Sequence, residues 1–168
     1  MITILGSTGT IGKNTLSVLK NTGRKNTVFA LSANKNIKLL FRQIKIFNPK
    51  YAVISEKSNA LKLINLCNAD KIKTKILFGE NNLSFISTHK QCKCVLSAIV
   101  GAAALKPTYD AAKSGKKILL ANKESIIMSG KLLITAAHKS GAILIPVDSE
   151  HNAILQILSS FGIDYDNS

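Results

Sequence analysis

The apolar run Ile2, Thr3, Ile4, Leu5 leads directly into GSTGTIG, from Gly6 to Gly12, and the rest of the chain has to be built around that junction. The pattern predicts a strand, a glycine loop and the start of a helix. Glycines at intervals of three let the backbone turn sharply and approach a ligand closely. The helix that follows offers unpaired N–H groups and a partial positive charge to a phosphate. A nucleotide or dinucleotide is the expected guest. The spacing is G-x-x-G-x-x-G, however, not the G-x-G-x-x-G of the common dinucleotide fingerprint, and a short strand-to-helix turn can need glycine on steric grounds alone. Both readings stay open on the loop by itself.

Beyond the loop, Ile11, Leu16, Val18 and Leu19 give a helix that stops near Gly23, a suitable left-handed C′ residue. A second strand is expected from Thr27 to Ser32, a helix from Ile37 to Phe47 that Asn48 and Pro49 terminate, and a third strand from Tyr51 to Ser55. Another strand–helix repeat runs through Leu61 to Leu66. Between Lys71 and Lys90 the pattern weakens to one short strand at Lys75 to Phe78 and a polar loop containing His89, with no function assigned. Cys94 to Val100 reads as an unbroken apolar strand ending at Gly101. Pro107 then sits in the first turn of a helix closing at Gly115. Ile118 to Ala121, Ile126 to His138 and Ala142 to Val147 complete the alternation as strand, helix and strand, with Gly141 ending the helix. Short apolar strands alternating with helices predict an α/β fold, a Rossmann-like, doubly wound, mainly parallel sheet with helices on both faces.

Composition narrows the partners. Of 23 basic residues against 9 acidic ones, giving a net charge of +14, only Arg24 and Arg42 are arginine, and aromatic residues make up 5%. Nucleic-acid faces favour arginine with interleaved aromatics, so scattered lysines read as a soluble surface and no nucleic-acid partner is expected. A positive field would still gather an anionic ligand. The cysteines Cys67, Cys92 and Cys94 form no C-x-x-C pair, which suggests a reducing compartment. Cys92 and Cys94, two apart at a strand entrance, would point the same way as a zinc half-site; ordinary thiols are the simpler reading. No signal peptide precedes Ile2 and no apolar run approaches a membrane span, so a cytoplasmic protein without membrane contact is expected.

Polar segments fall in a telling place. GSTGTIG, ANKN at Ala33 to Asn36, NKES at Asn122 to Ser125 and DSEHN at Asp148 to Asn152 each follow a strand directly. Ligands of open α/β sheets bind outside the carboxyl ends of the strands, so these distant segments converge on one edge. After the second strand a typical NAD site carries an acid for the ribose 2′-hydroxyl. Here Asn34, Lys35 and Asn36 stand instead, and Lys35 would attract a 2′-phosphate, which favours NADP over NAD. Asn34 to Asn36 would also cap the next helix, and the two roles are compatible. Asp148 and Glu150, if extended, lie on one side about 6 to 7 Å apart, close enough to share Mg²⁺ or Mn²⁺ through oxygen ligands. Capping of a helix through Ala153, Ile154, Ile157 and Leu158 is the simpler reading of that pair alone. His151 reads as a surface or orienting residue. Lys123 could hold a substrate anion or pair with Glu124.

GSTGTIG, AIVGAA at Ala98 to Ala103, ILLANKES at Ile118 to Ser125 and PVDSEHNAI at Pro146 to Ile154, in this order, closely resemble the 1-deoxy-D-xylulose 5-phosphate reductoisomerase family. The resemblance covers nearly the whole chain but only the amino-terminal part of the family pattern. It implies an NADPH-dependent, divalent-metal-assisted isomerisation and reduction of 1-deoxy-D-xylulose 5-phosphate to 2-C-methyl-D-erythritol 4-phosphate, in non-mevalonate isoprenoid biosynthesis. By position, Thr8, Gly9, Thr10 and Ile11 match the pyrophosphate loop, Asn34, Lys35 and Asn36 the 2′-phosphate region, and Asn122 and Glu124 further cofactor contacts. Lys123, Ser149 and Glu150 match substrate-binding positions, and Asp148 and Glu150 metal ligands, so the catalytic set implied is Lys123, Asp148 and Glu150. Asn34 stands where the family usually has glycine, a change that asparagine tolerates.

The resemblance also implies residues 1–147 as an NADPH-binding domain and 148–168 as the start of a metal- and substrate-binding domain. A small phosphorylated sugar is the implied substrate, and a homodimer the implied state of the full-length enzyme. A third carboxylate, the phosphate pocket and the lid of the family are not in the sequence, so this chain alone is expected to be inactive. Two alternatives are kept: another NADP-linked dehydrogenase domain, against which stands the lack of a Tyr-x-x-x-Lys pair, and a basic nucleic-acid- or protein-binding module on a nucleotide-binding fold.

Overall fold

The computed structural model describes residues 1–121 and 123–147, the side chains of 123–129 excepted. Seven parallel strands form one sheet: β1 (Ile2–Leu5), β2 (Val28–Ala33), β3 (Tyr51–Ile54), β4 (Lys75–Phe78), β5 (Cys94–Ser97), β6 (Lys117–Leu120) and β7 (Ile143–Pro146). Their order in space is β4-β3-β2-β1-β5-β6-β7. The chain therefore winds outward from β1 to β4, crosses back beside β1, and winds outward again. The strand order reverses between β1 and β5, which is where an open α/β sheet leaves a crevice at its carboxyl edge.

Helices α1 (Thr10–Asn21), α2 (Ile37–Phe47) and α3 (Lys57–Ala69) belong to the outward run, and α4 (Glu80–Thr88), α5 (Leu105–Lys113) and α6 (Lys123–Ser140) to the return. Two separate cores show that they take opposite faces. Leu16 and Leu19 of α1, Leu40, Ile44 and Phe47 of α2, and Ala60, Leu63 and Cys67 of α3 pack with Ile2, Ile4 and Leu31. Leu83 and Ile86 of α4, Ala111 and Ala112 of α5, and Leu133, Ala136 and Ala137 of α6 pack with Leu5, Phe29 and Val95. Both faces are covered, so the strands read as continuous apolar runs. The expected α/β architecture is the observed one.

Helix ends follow the expected chemistry. Gly23 takes φ +72° after α1, with its N–H on Lys20 O and the N–H of Arg24 on Leu19 O, the paired bonds of a Schellman stop. Asn48 ends α2 in the left-handed region at φ 43°.

Several boundaries differ from the sequence expectation by a residue or more, three of them for a visible reason. The segment after β4 is not a polar loop but α4, whose Leu83, Ile86 and Ser87 are buried. Asn81, Asn82 and Ser84 carry little helical preference, and burial of the Leu83 and Ile86 stripe overrides it. Strand β2 runs one residue later than expected, because Lys25–Thr27 form a 3₁₀ turn that Thr27 closes onto Arg24 O. A bulge opposite Ile2 and Thr3 also sends Phe29 and Ala30 to the same core, which breaks the alternation a strand normally shows. Strand β5 stops at Ser97, since Ala98 to Val100 leave the sheet to border the crevice.

Ordinary thiols, the simpler reading of the cysteines, are what the structure shows, and Cys92 and Cys94 do not point the same way. Cys94 packs in the core of the α1–α3 face and Cys92 in that of the α4–α6 face. Cys92 Sγ accepts a hydrogen bond from Thr3 Oγ1 at 3.1 Å. Burial pushes the Cys94 thiol up to about 12, and no group of three or more His, Cys, Asp or Glu among the described residues could hold a metal. All three cysteines are buried free thiols. No helix among the described residues is long and apolar enough to cross a membrane.

Candidate functional site

A cleft of about 520 Å³ opens at the reversal point, lined by residues that follow β1 (Gly6, Thr8, Gly9), β2 (Asn34), β3 (Ser55), β4 (Gly79, Glu80) and β5 (Ala98, Ile99, Val100). The glycine loop forms its floor between β1 and α1. Gly6 sits at φ +83°, and a Cβ there would come within 2.6 Å of Ala98 O. A Cβ on Gly12 would collide with Gly6 O and with Ser7 Cα. These two glycines are required by the protein's own packing.

Gly9 is different. Its backbone is extended at φ −75°, and among the described residues the only heavy atom beyond its chain neighbours that a Cβ would meet within 4 Å is Gly6 O at 3.4 Å. Nothing among the described residues asks for glycine there, and the residue lines the cleft. Gly9 also stands at the N-cap of α1, with no side-chain cap and no acidic residue in the first turn. Among the described residues the first N–H groups of α1 therefore lack side-chain partners at the cleft floor, and the helix dipole adds partial positive charge.

The loop is held from behind by a buried polar network. Gly6 N–H donates to Ser32 Oγ at 3.0 Å and Ser7 N–H to Ser32 O at 2.8 Å. Ser7 Oγ donates to Gln43 Oε1 at 2.7 Å, with Ser32 O at 3.1 Å as a second acceptor, and Gln43 Nε2 donates to Ser7 O at 2.8 Å. Ser7, Ser32 and Gln43 are all buried. Sequence reasoning passed over Ser7, Ser32 and Gln43, and over Ser55 and Glu80 in the cleft wall. A signal existed for Gln43: it interrupts the stripe Leu40, Ile44, Phe47 on the buried face of α2.

At the turn from β2 to α2, Asn34 lines the cleft, while Lys35 and Asn36 are exposed beside it. The Asn36 side chain accepts from Leu39 N–H at 3.0 Å, so the capping role is realised. Thr8 and Gly9 line the cleft; Thr10 is exposed at the first turn of α1, and Ile11 packs partly against the core. Asn122, Asp148, Ser149, Glu150 and His151 lie outside the described residues, as do the side chains of Lys123 and Glu124, whose backbone opens α6.

Comparison with known proteins agrees with this geometry. The family model described as 1-deoxy-D-xylulose 5-phosphate reductoisomerase matches residues 2–130. Curated reductoisomerases of that name are similar over 157 residues, 94% of this chain: one from Actinobacillus pleuropneumoniae is 46% identical and one from Proteus mirabilis 49%. The chain spans about 40% of the length of these relatives. Among solved structures, a DOX-P reductoisomerase in complex with NADPH, fosmidomycin and magnesium superposes with a TM-score of 0.85 at 39% identity, covering 92% of this chain and 38% of that one. The Zymomonas mobilis enzyme in complex with NADPH gives 0.82 at 39% identity, covering 92% of this chain and 40% of that one. With the family model matched over most of its length, this chain belongs to the 1-deoxy-D-xylulose 5-phosphate reductoisomerase family.

Proposed function

We propose that this chain is the NADPH-binding part of a reductoisomerase that converts 1-deoxy-D-xylulose 5-phosphate into 2-C-methyl-D-erythritol 4-phosphate. The observation that carries the proposal is Gly9, the loop glycine that the packing of the described residues leaves free, lining a cleft beside a helix start with no side-chain cap. A dinucleotide pyrophosphate needs that absence of a side chain and those N–H groups. NADPH, when bound, supplies hydride.

Thr8, Gly9, Thr10 and Ile11 would hold its pyrophosphate, and Asn34, Lys35 and Asn36 the 2′-phosphate. Asn122 and Glu124 would add further cofactor contacts. For the chemistry beyond cofactor binding, support comes from the sequence motifs and from a relative solved with magnesium and fosmidomycin. Lys123, Ser149 and Glu150 would bind the phosphorylated sugar, and Asp148 and Glu150 would ligate Mg²⁺ or Mn²⁺. Residues 1–147 are then the cofactor domain, and 148–168 begin the metal- and substrate-binding part. The reading carries with it a cytoplasmic location and a homodimer for the full-length enzymes, with no nucleic-acid partner.

Fluorescence titration of this chain with NADPH and NADH tests the proposal: NADPH should bind measurably and more tightly, and equal affinity or no binding would overturn it. Lys35→Glu should reverse part of the preference. Unchanged titrations would reduce Lys35 to a surface charge.

A further inference from the structure

We infer that Gln43 is a positioning residue for cofactor binding, clamping the glycine loop in its pyrophosphate-receiving shape from the far side of the loop. The inference rests on the NADPH reading above and extends it to a residue outside the cleft.

Both ends of the Gln43 amide are committed to one loop residue, with Nε2 donating to Ser7 O at 2.8 Å and Oε1 accepting from Ser7 Oγ at 2.7 Å. This pairing fixes which end of the amide is which, because a carbonyl oxygen can only accept. Ser7 lies between Gly6 and the cleft-lining Thr8 and Gly9. The buried carbonyl of Ser7 is thus turned towards α2, and the chain leaves Ser7 in the direction that brings Gly9 to the N-cap of α1. No ligand need touch Gln43 for this to matter. The bonds are made without water, since Ser7 and Gln43 are buried, so losing the amide leaves a buried carbonyl unpaired and the loop can recover that partner only by moving. Gln43 also sits on the helix that begins just after Asn34, Lys35 and Asn36, so it joins the pyrophosphate loop to the element that sets the 2′-phosphate turn.

Two probes separate positioning from simple structural support. NADPH contains the pyrophosphate; adenosine 2′-monophosphate keeps the adenine, ribose and 2′-phosphate but lacks it. In this chain, Gln43→Met should weaken NADPH by about 10-fold or more and adenosine 2′-monophosphate by less than about 2-fold. Equal losses for both probes, or no loss for either, would overturn the inference. Gln43→Glu provides a second reading should the methionine variant fail to fold. Its protonated acid can still donate to Ser7 O, whereas its carboxylate cannot, and burial raises the carboxyl pKa. Its NADPH affinity should fall from roughly pH 5 to pH 8 more steeply than that of the wild type, with parallel profiles counting against the clamp. A wild-type chain that binds neither probe removes the cofactor reading and the clamp with it. A wild type that binds NADPH, with variants that behave like it, removes the clamp alone.

Discussion

The two edges of the sheet are built from opposite materials. At the carboxyl edge the cleft is lined by small, uncharged groups, Gly6, Thr8, Gly9, Asn34 and Ser55 among them, and Glu80 is the only charged lining residue among those described. At the amino edge stand Lys50, Lys75, Lys93, Lys116 and Lys117, brought into line by backbone bonds from Lys75 N–H to Lys50 O and from Lys117 N–H to Lys93 O. Beside them Phe29, Tyr51, Phe85 and His89 form a ring cluster with centroids 4.7 to 5.8 Å apart. Net charge therefore says little about where the ligand goes. Among the described residues the cleft lining offers N–H groups and space in place of lysines, while five lysines stand at the opposite edge.

Glycine substitutions should give the largest effects and separate scaffold from site. Gly12→Val drives side-chain atoms into the backbone of Gly6 and Ser7, which cannot move aside. It should cost about 3 kcal/mol or more, with thermal unfolding on the order of 10 °C lower. Gly9→Val should leave the melting temperature within about 2 °C and weaken NADPH by about 10-fold or more. If both variants lose stability alike, Gly9 is a turn residue and the cleft loses its main argument.

Charge reversal at the amino edge should matter less. A four-residue strand spans roughly 13 Å, beyond the Debye length of about 8 Å at physiological salt. Lys50→Glu combined with Lys75→Glu should change NADPH affinity by less than about 2-fold at that salt. A larger drop would mean that the lysine edge steers the cofactor and that the two edges are not independent.

The smallest expected effect concerns His89. Burial in the ring cluster and then the charges of Lys50, Lys90 and Lys116 hold its pKa below the ordinary value of 6.5. The folded state thus resists protonation more than the unfolded one does. The stability involved is fully present above pH 6.5 and declines as pH falls through the folded pKa. Chemical denaturation at several pH values should show a shallower acid-side loss for His89→Gln than for the wild type. Identical slopes would detach His89 from the edge's electrostatics.

Much of the fold was legible because periodicity and punctuation agree. Gly23, Asn48, Gly115 and Gly141 all take positive φ near the ends of helices, as expected of such residues. The segment at α4 was not legible, since Asn81, Asn82 and Ser84, exposed or half-buried, hide a stripe of only two strong apolar residues, Leu83 and Ile86. The site was legible in part. Thr8, Gly9 and Asn34 line the cleft, whereas Lys35 and Asn36 stand at its exposed margin. Asp148, Ser149 and Glu150 remain expectations from sequence.

By itself the sequence determined that strands and helices alternate, that a glycine loop follows the first strand, and which family the motifs resemble. Those properties are local, written in residue spacing and in the few residues able to adopt a given backbone. Tertiary structure decided that β5 lies beside β1, that Gly6 must clear Ala98 O, and that Gln43 reaches Ser7 across 36 positions of chain. Contacts between residues so far apart depend on which helix covers which face, and no local pattern encodes that choice. It also divided one motif into two kinds of glycine, those the protein needs for its own packing and one that it leaves open to the cleft.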